Sequence, residues 1–179
     1  MPNFKTHIIT GILFYPVYFL LYSAIMNFFN IDFYQNDTLI LTAFFFFVLG
    51  SDLPDVDHNM SLINRVFRIL LIGAGIYSIF KIEKYYNFLS FLSINIYLIK
   101  TIYIIIGIIL GWIFGILFNH ITKHRGKWHS PFTGILTGII LYFLKTSNYY
   151  SVDYKTLFIA LSLTTGFFIH LILDYYFKS

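Results

Sequence analysis

Apolar and polar stretches alternate along this chain on the scale of whole membrane helices rather than of single helical turns. Ile8 to Asn27 is twenty residues without a charge, long enough to cross ~30 Å of hydrocarbon at ~1.5 Å per residue. Further apolar segments cover Thr38 to Gly50, Val66 to Phe80, Phe88 to Asn119, Phe132 to Leu144 and Thr156 to Leu173. Short polar separators lie at Asn30 through Asp37, Lys81 to Asn87 and Lys145 to Lys155. The pattern predicts an all-α, polytopic membrane bundle of about six transmembrane helices, forming a single domain over residues 1–179.

Local signals refine the segments. The first run is followed by no small-x-small cleavage site, so it is expected to be a retained span, with a kink at Pro16. Pro54 is expected to end the second helix near Leu53. Ser130-Pro131 predicts a capped helix start. Phe88 to Asn119 is expected to cross once, because the piece ending at Ile99 is only ~18 Å of helix. Gly107, Gly111 and Gly115, and likewise Gly134 and Gly138, repeat every four residues. Such stripes allow close helix approach in lipid. They are expected to pack helix 4 on helix 5, with a homodimer as the alternative use.

Composition supports this class: 58% hydrophobic, 11% charged and a mean hydropathy of +0.75, outside the range of ordinary soluble domains. The net charge of +4 is small and dispersed, which argues against a nucleic-acid partner. Cysteine is absent, which excludes disulfides and thiolate-ligated metal.

Against this background the polar residues cluster. Five of six histidines and four of eight acidic residues fall in four short strings: His7; Ser51-Asp52-Leu53-Pro54-Asp55-Val56-Asp57-His58; His124-Arg125-Gly126-Lys127-Trp128-His129-Ser130; and His170 with Asp174. Ionisable groups near hydrocarbon are costly and point to function by default. Imidazole with carboxylate is a donor set for zinc and similar divalent ions.

Each string has a plainer reading. Asp52, Asp55 and Asp57 also suit a solvated interfacial loop, though their mutual repulsion calls for cations or retained protons. Arg125 and Lys127 resemble a basic membrane-edge anchor, and Trp128 fits an interfacial aromatic. His170 and Asp174, one helical turn apart, also fit a helix-end histidine beside a solvated aspartate. His120 is expected to be a packing residue or a neighbour of the ligands rather than a ligand.

Crossing parity favours the functional reading. With His7 on one side, six crossings return all four strings to that same face. Helices 2 and 5 are short, at about 13 residues each, so the strings are expected at headgroup depth. Seven Lys and Arg residues lie on that face against four or five opposite, which predicts a cytoplasmic site in a multi-pass cell-membrane protein.

The four strings, in this order, resemble the predicted membrane-bound metal-dependent hydrolase family that includes the LexA-regulated inner-membrane proteins. The resemblance rests on His7, Leu53-Pro54-Asp55-Val56-Asp57-His58, His124-Arg125-Gly126 through His129-Ser130, and His170 with Asp174. Many members carry Thr where Trp128 stands. The layout is more remotely similar to zinc-dependent phospholipase C and P1-type nucleases. The resemblance implies a hydrolase with two or three divalent ions, zinc above all, held by His7, Asp52, Asp55, His58, His124, His129, His170 and Asp174. Arg125 would clamp phosphate, and Asp57 would orient water or a ligand imidazole. The expected substrate is a lipid-like phosphoester or phosphodiester, with membrane lipids as partners. A divalent-metal transporter or sensor using the same ligands is the alternative.

Overall fold

Six α-helices and one 3₁₀ turn form the computed structural model, which describes residues 4–33, 36–58, 61–86, 95–122, 128–146 and 150–177. The helices are α1 (Phe4–Phe28), α2 (Asp37–Gly50), α3 (Leu62–Tyr86), α4 (Ile96–Ile121), α5 (Pro131–Lys145) and α6 (Tyr154–Tyr176), with the 3₁₀ turn at Leu53–Asp57. The described structure contains no strand, so the chain is an all-α membrane helical protein. Four helices, α1, α3, α4 and α6, are long and apolar enough to span; α2 and α5 are shorter, at 14 and 15 residues.

Several boundaries differ from the hydropathy pattern. α1 begins at Phe4 and takes His7 inside the helix. It runs continuously through Pro16. α3 extends beyond both ends of its apolar core to include Arg65, Lys81, Glu83 and Lys84, residues that favour helix while their charged ends reach toward water. α2 stops at Gly50 rather than near Leu53, and Pro54 sits inside the tighter 3₁₀ turn. α4 is one helix of 26 residues, while residues 88–94 of the expected segment lie outside the described residues. Ser130 caps α5 as expected, accepting from the Thr133 N–H, with Pro131 at the first helical position.

The chain divides into two compact units inside the 3₁₀ turn: Met1–Asp55 with His124–Ser179, and Val56–Lys123. In the first unit α6 is the central helix. Its apolar window is 56% buried, against 22% for each of the other three long helices. Small residues make that centrality feasible. A methyl group on Gly166 of α6 would overlap the Phe47 carbonyl of α2, and one on Gly50 would overlap Leu163 of α6. Gly134 and Gly138 of α5 seat against Phe167 and Thr164 of α6.

α1 joins this unit through tyrosines. Its buried face reads His7, Gly11, Tyr15, Tyr18, Tyr22 and Met26. Tyr15 donates to the Ile40 carbonyl of α2 at 2.6 Å. Tyr18 and Tyr22 donate to the Phe158 and Tyr154 carbonyls of α6 at 2.5 and 2.9 Å. Each ring thus supplies apolar packing while its hydroxyl finds the acceptor that burial requires.

The second unit pairs α3 with α4. Gly107 and Gly111 of α4 lie against Ile76 and Ile72 of α3, and Gly75 of α3 against Gly107. The expected pairing of the two glycine stripes with each other is therefore corrected: the α4 stripe seats on α3, and the α5 stripe on α6. A neighbouring helix close to each stripe, rather than their shared spacing, determines the partner.

Gly166→Ala should destabilise the protein by about 1–3 kcal/mol, the usual cost of forcing an extra carbon into a close contact. Gly73→Ala, where nothing lies within 4 Å of the added carbon, should be neutral or stabilising by up to ~1 kcal/mol. Thermal unfolding of both variants in the same detergent checks the pair.

Candidate metal centre

Four chain segments of the first unit bring imidazoles and carboxylates together. α1 contributes His7 from its first turns, and the 3₁₀ turn contributes Asp55. His129 stands just before α5, and α6 supplies His170 and Asp174 one turn apart. His7 and His170 are buried, with 1% and 0% exposure. Their rings stack at 3.7 Å with a 15° interplanar angle, while His129 meets His170 edge to face at 5.1 Å.

Asp174 faces all three rings. Its Oδ1 lies 3.5 Å from His7 Nε2, and its Oδ2 lies 3.1 Å from His129 Nε2 and 3.8 Å from His170 Nε2. Asp55 Oδ1 lies 3.6 Å from the same His170 nitrogen. Two trios result, His7–Asp55–His170 and His129–His170–Asp174, each with its donor atoms within 4.8 Å of one another.

The backbone determines how His170 presents itself. Its Nδ1 lies 2.8 Å from the Ser51 carbonyl, just beyond the end of α2. A carbonyl only accepts, so Nδ1 carries the proton and Nε2 presents its lone pair to the carboxylates. This is the outer hydrogen bond that orients ligating histidines in metal sites. Both trios share His170, and only its Nε2 is available to them, so this nitrogen is common to the two groups.

Several buried polar atoms of these segments lack partners. Among the described residues His7 Nδ1, His129 Nδ1, His170 Nε2 and Asp52 Oδ1 have no hydrogen-bond partner. Unsatisfied buried groups of this kind are uncommon without an unseen ligand or a functional role. Asp52, 4% exposed, belongs to neither trio. Burial, and after it the neighbouring Asp55 charge, raises its carboxyl to about 7.

The remaining expected residues belong to other parts of the chain. Asp57, buried, and His58, half-buried, lie beyond Val56 and are part of the second unit. His124 and Arg125 lie outside the described residues. His120 is exposed on the last turn of α4, so among the described residues it does not take the packing role expected of it. Trp128, expected as an interfacial anchor, donates its indole N–H to the Leu53 carbonyl at 3.3 Å and so ties the segment before α5 to the 3₁₀ turn. The sequence reading missed the Ser51 carbonyl, because every residue carries one and only its placement gives it a role.

A family model described as YdjM inner membrane protein matches residues 1–179. No curated protein and no solved structure matches the chain.

If these five residues ligate a metal, Asp174→Ala and His170→Ala should each remove most of the metal that co-purifies with the detergent-solubilised protein. His120→Ala should retain it. Elemental analysis of the three variants beside wild type decides the point, and equal metal content in all of them would remove the cluster from consideration.

Proposed function

We propose that this membrane protein, which belongs to the YdjM inner membrane protein family, is a metal-dependent hydrolase acting on a phosphoester or phosphodiester of a lipid-like substrate. The observation that carries the reading is His170, with Nδ1 tied to Ser51 and Nε2 turned toward Asp55 and Asp174. Two groups, each of two imidazoles and one carboxylate and both including His170, form a mixed nitrogen and oxygen donor set suited to zinc.

His7, Asp55, His129, His170 and Asp174 would hold the first ion. Asp52, His58 and His124 would complete a complement of two or three. When bound, such an ion lowers the pKa of its water toward about 7 and polarises a phosphoryl oxygen. The protein's own contributions are separate. Ser51 keeps the His170 ring oriented, and Asp57 would orient a ligand imidazole or the attacking water. Arg125 would hold the non-reacting phosphate oxygens with its planar fork.

The position of the donors supports a lipid-like substrate. They stand in the first turns of α1, beyond the end of α2, ahead of α5 and in the last turns of α6. Helix ends of spanning segments meet the headgroup layer, whereas transporters usually bind cargo near mid-membrane. The Lys and Arg balance, seven against four or five, favours the cytoplasmic side for this face.

Metal stoichiometry and phosphate or headgroup release, measured on the same preparations, test the proposal. Wild type should be metal-loaded and active on a phospholipid panel. Arg125→Lys should lower catalytic efficiency by about 100-fold, the scale of losing one charge-stabilising donor, while leaving metal content unchanged. A metal-loaded wild type that hydrolyses nothing across the panel, yet moves the ion in proteoliposomes, would establish the transporter instead.

A further inference from the structure

The second unit has its own buried polar arrangement, at Asn64 in the first turns of α3. Asn64 is fully buried. Its side-chain amide donates to the Val56 carbonyl and to Asn119 Oδ1 of α4, the latter at 3.0 Å. Its Oδ1 accepts from Arg68 Nε, one turn further along α3, at 3.0 Å. Both amide hydrogens are thus engaged, so the side chain cannot flip without losing bonds. The direction of the Arg68 guanidinium follows from that.

Arg68 is half-buried within the apolar span Leu62–Tyr85, and its stem runs beside Gly115 of α4. The described residues include all eight acidic side chains, and none of them pairs with Arg68. Its sole bonded partner among them is a neutral amide, so the positive charge is oriented but not compensated. A cation that merely anchors a helix at the membrane edge works through charge and reach, and needs no saturated asparagine beneath it. With Nε held, the terminal nitrogens lie in a set plane and present paired donors, the geometry that matches phosphate oxygens.

We propose that Arg68, aimed by Asn64, binds a phosphate-bearing anion, either the headgroup phosphate of a membrane lipid or free phosphate. The site is built from α3 and α4 residues and is independent of the metal-centre reading. Arg65 provides an internal control, being exposed on the same helix with the same charge.

Native mass spectrometry of the full chain in detergent tests the site, using phosphatidylglycerol against a phosphate-free diacylglycerol glycolipid. Wild type should retain phosphatidylglycerol preferentially. Arg68→Gln and Arg68→Lys should both lose that preference several-fold, and Arg65→Gln should keep it. Arg68→Lys preserves stem and charge, so it remains informative if the glutamine variant fails to fold. Inorganic phosphate that displaces the lipid from wild type assigns the site to free phosphate. A lipid preference that persists in its presence assigns the site to the headgroup. Wild-type retention in Arg68→Lys, an equal loss in Arg65→Gln, or no preference in wild type would each overturn the proposal.

Discussion

At 2.8 Å, the imidazole of His170 donates to the carbonyl of Ser51, and much of the first unit is arranged so that this bond can exist. A buried imidazole N–H left without an acceptor would cost about 1–3 kcal/mol. The acceptor is available because α2 ends one residue earlier and because α6 passes very close to that end. Gly50 and Gly166 permit the approach, each facing the other helix with only a hydrogen. Ser51 also turns its hydroxyl back to the Val48 carbonyl at 2.7 Å, while Gly11 of α1 accommodates its side chain. Three helices therefore meet at one residue, and His7 of α1 stacks on the ring that this residue orients.

The two units obey the same rule of membrane packing. Water does not drive their helices together, so contacts rely on close approach and on hydrogen bonds completed inside the protein. Glycines supply the approach in both. Tyrosine hydroxyls on carbonyls supply the bonds in the first unit, and Asn64 between Val56, Asn119 and Arg68 supplies them in the second. Large aliphatic residues such as Leu13, Leu20, Ile69 and Leu70 remain outside, more than half exposed, where lipid is their natural solvent.

That inversion explains what the sequence revealed and what it concealed. Six helices followed from hydropathy, because runs without charge are conspicuous whatever their partners. Crossing parity, together with the rarity of ionisable residues in such a chain, predicted one face for all four polar strings, and of these the structure brings His7, Asp55, His129, His170 and Asp174 together. Helix partners did not follow. Periodic glycines announce a close contact without naming the other side, and hydrophobicity hardly distinguishes the buried from the lipid-facing positions of α1. The buried face of that helix was marked instead by its hydroxyl-bearing and small residues. The roles of Ser51 and Trp128 depend on backbone carbonyls at Ser51 and Leu53, which no side-chain pattern encodes.

The tyrosines of α1 have a consequence for biosynthesis. Their hydroxyls find acceptors on α2 and, for Tyr18 and Tyr22, on α6. A ribosome delivers α1 first and α6 last, so the earliest helix in the bilayer must wait through the insertion of the other four before its buried face is satisfied. His7 waits with it, since the ring it stacks on and the carboxylate it faces both belong to α6. Arrival of the final helix thus completes the packing and the polar cluster in a single event. An unfinished chain therefore carries Tyr18, Tyr22 and His7 without the partners that α6 supplies.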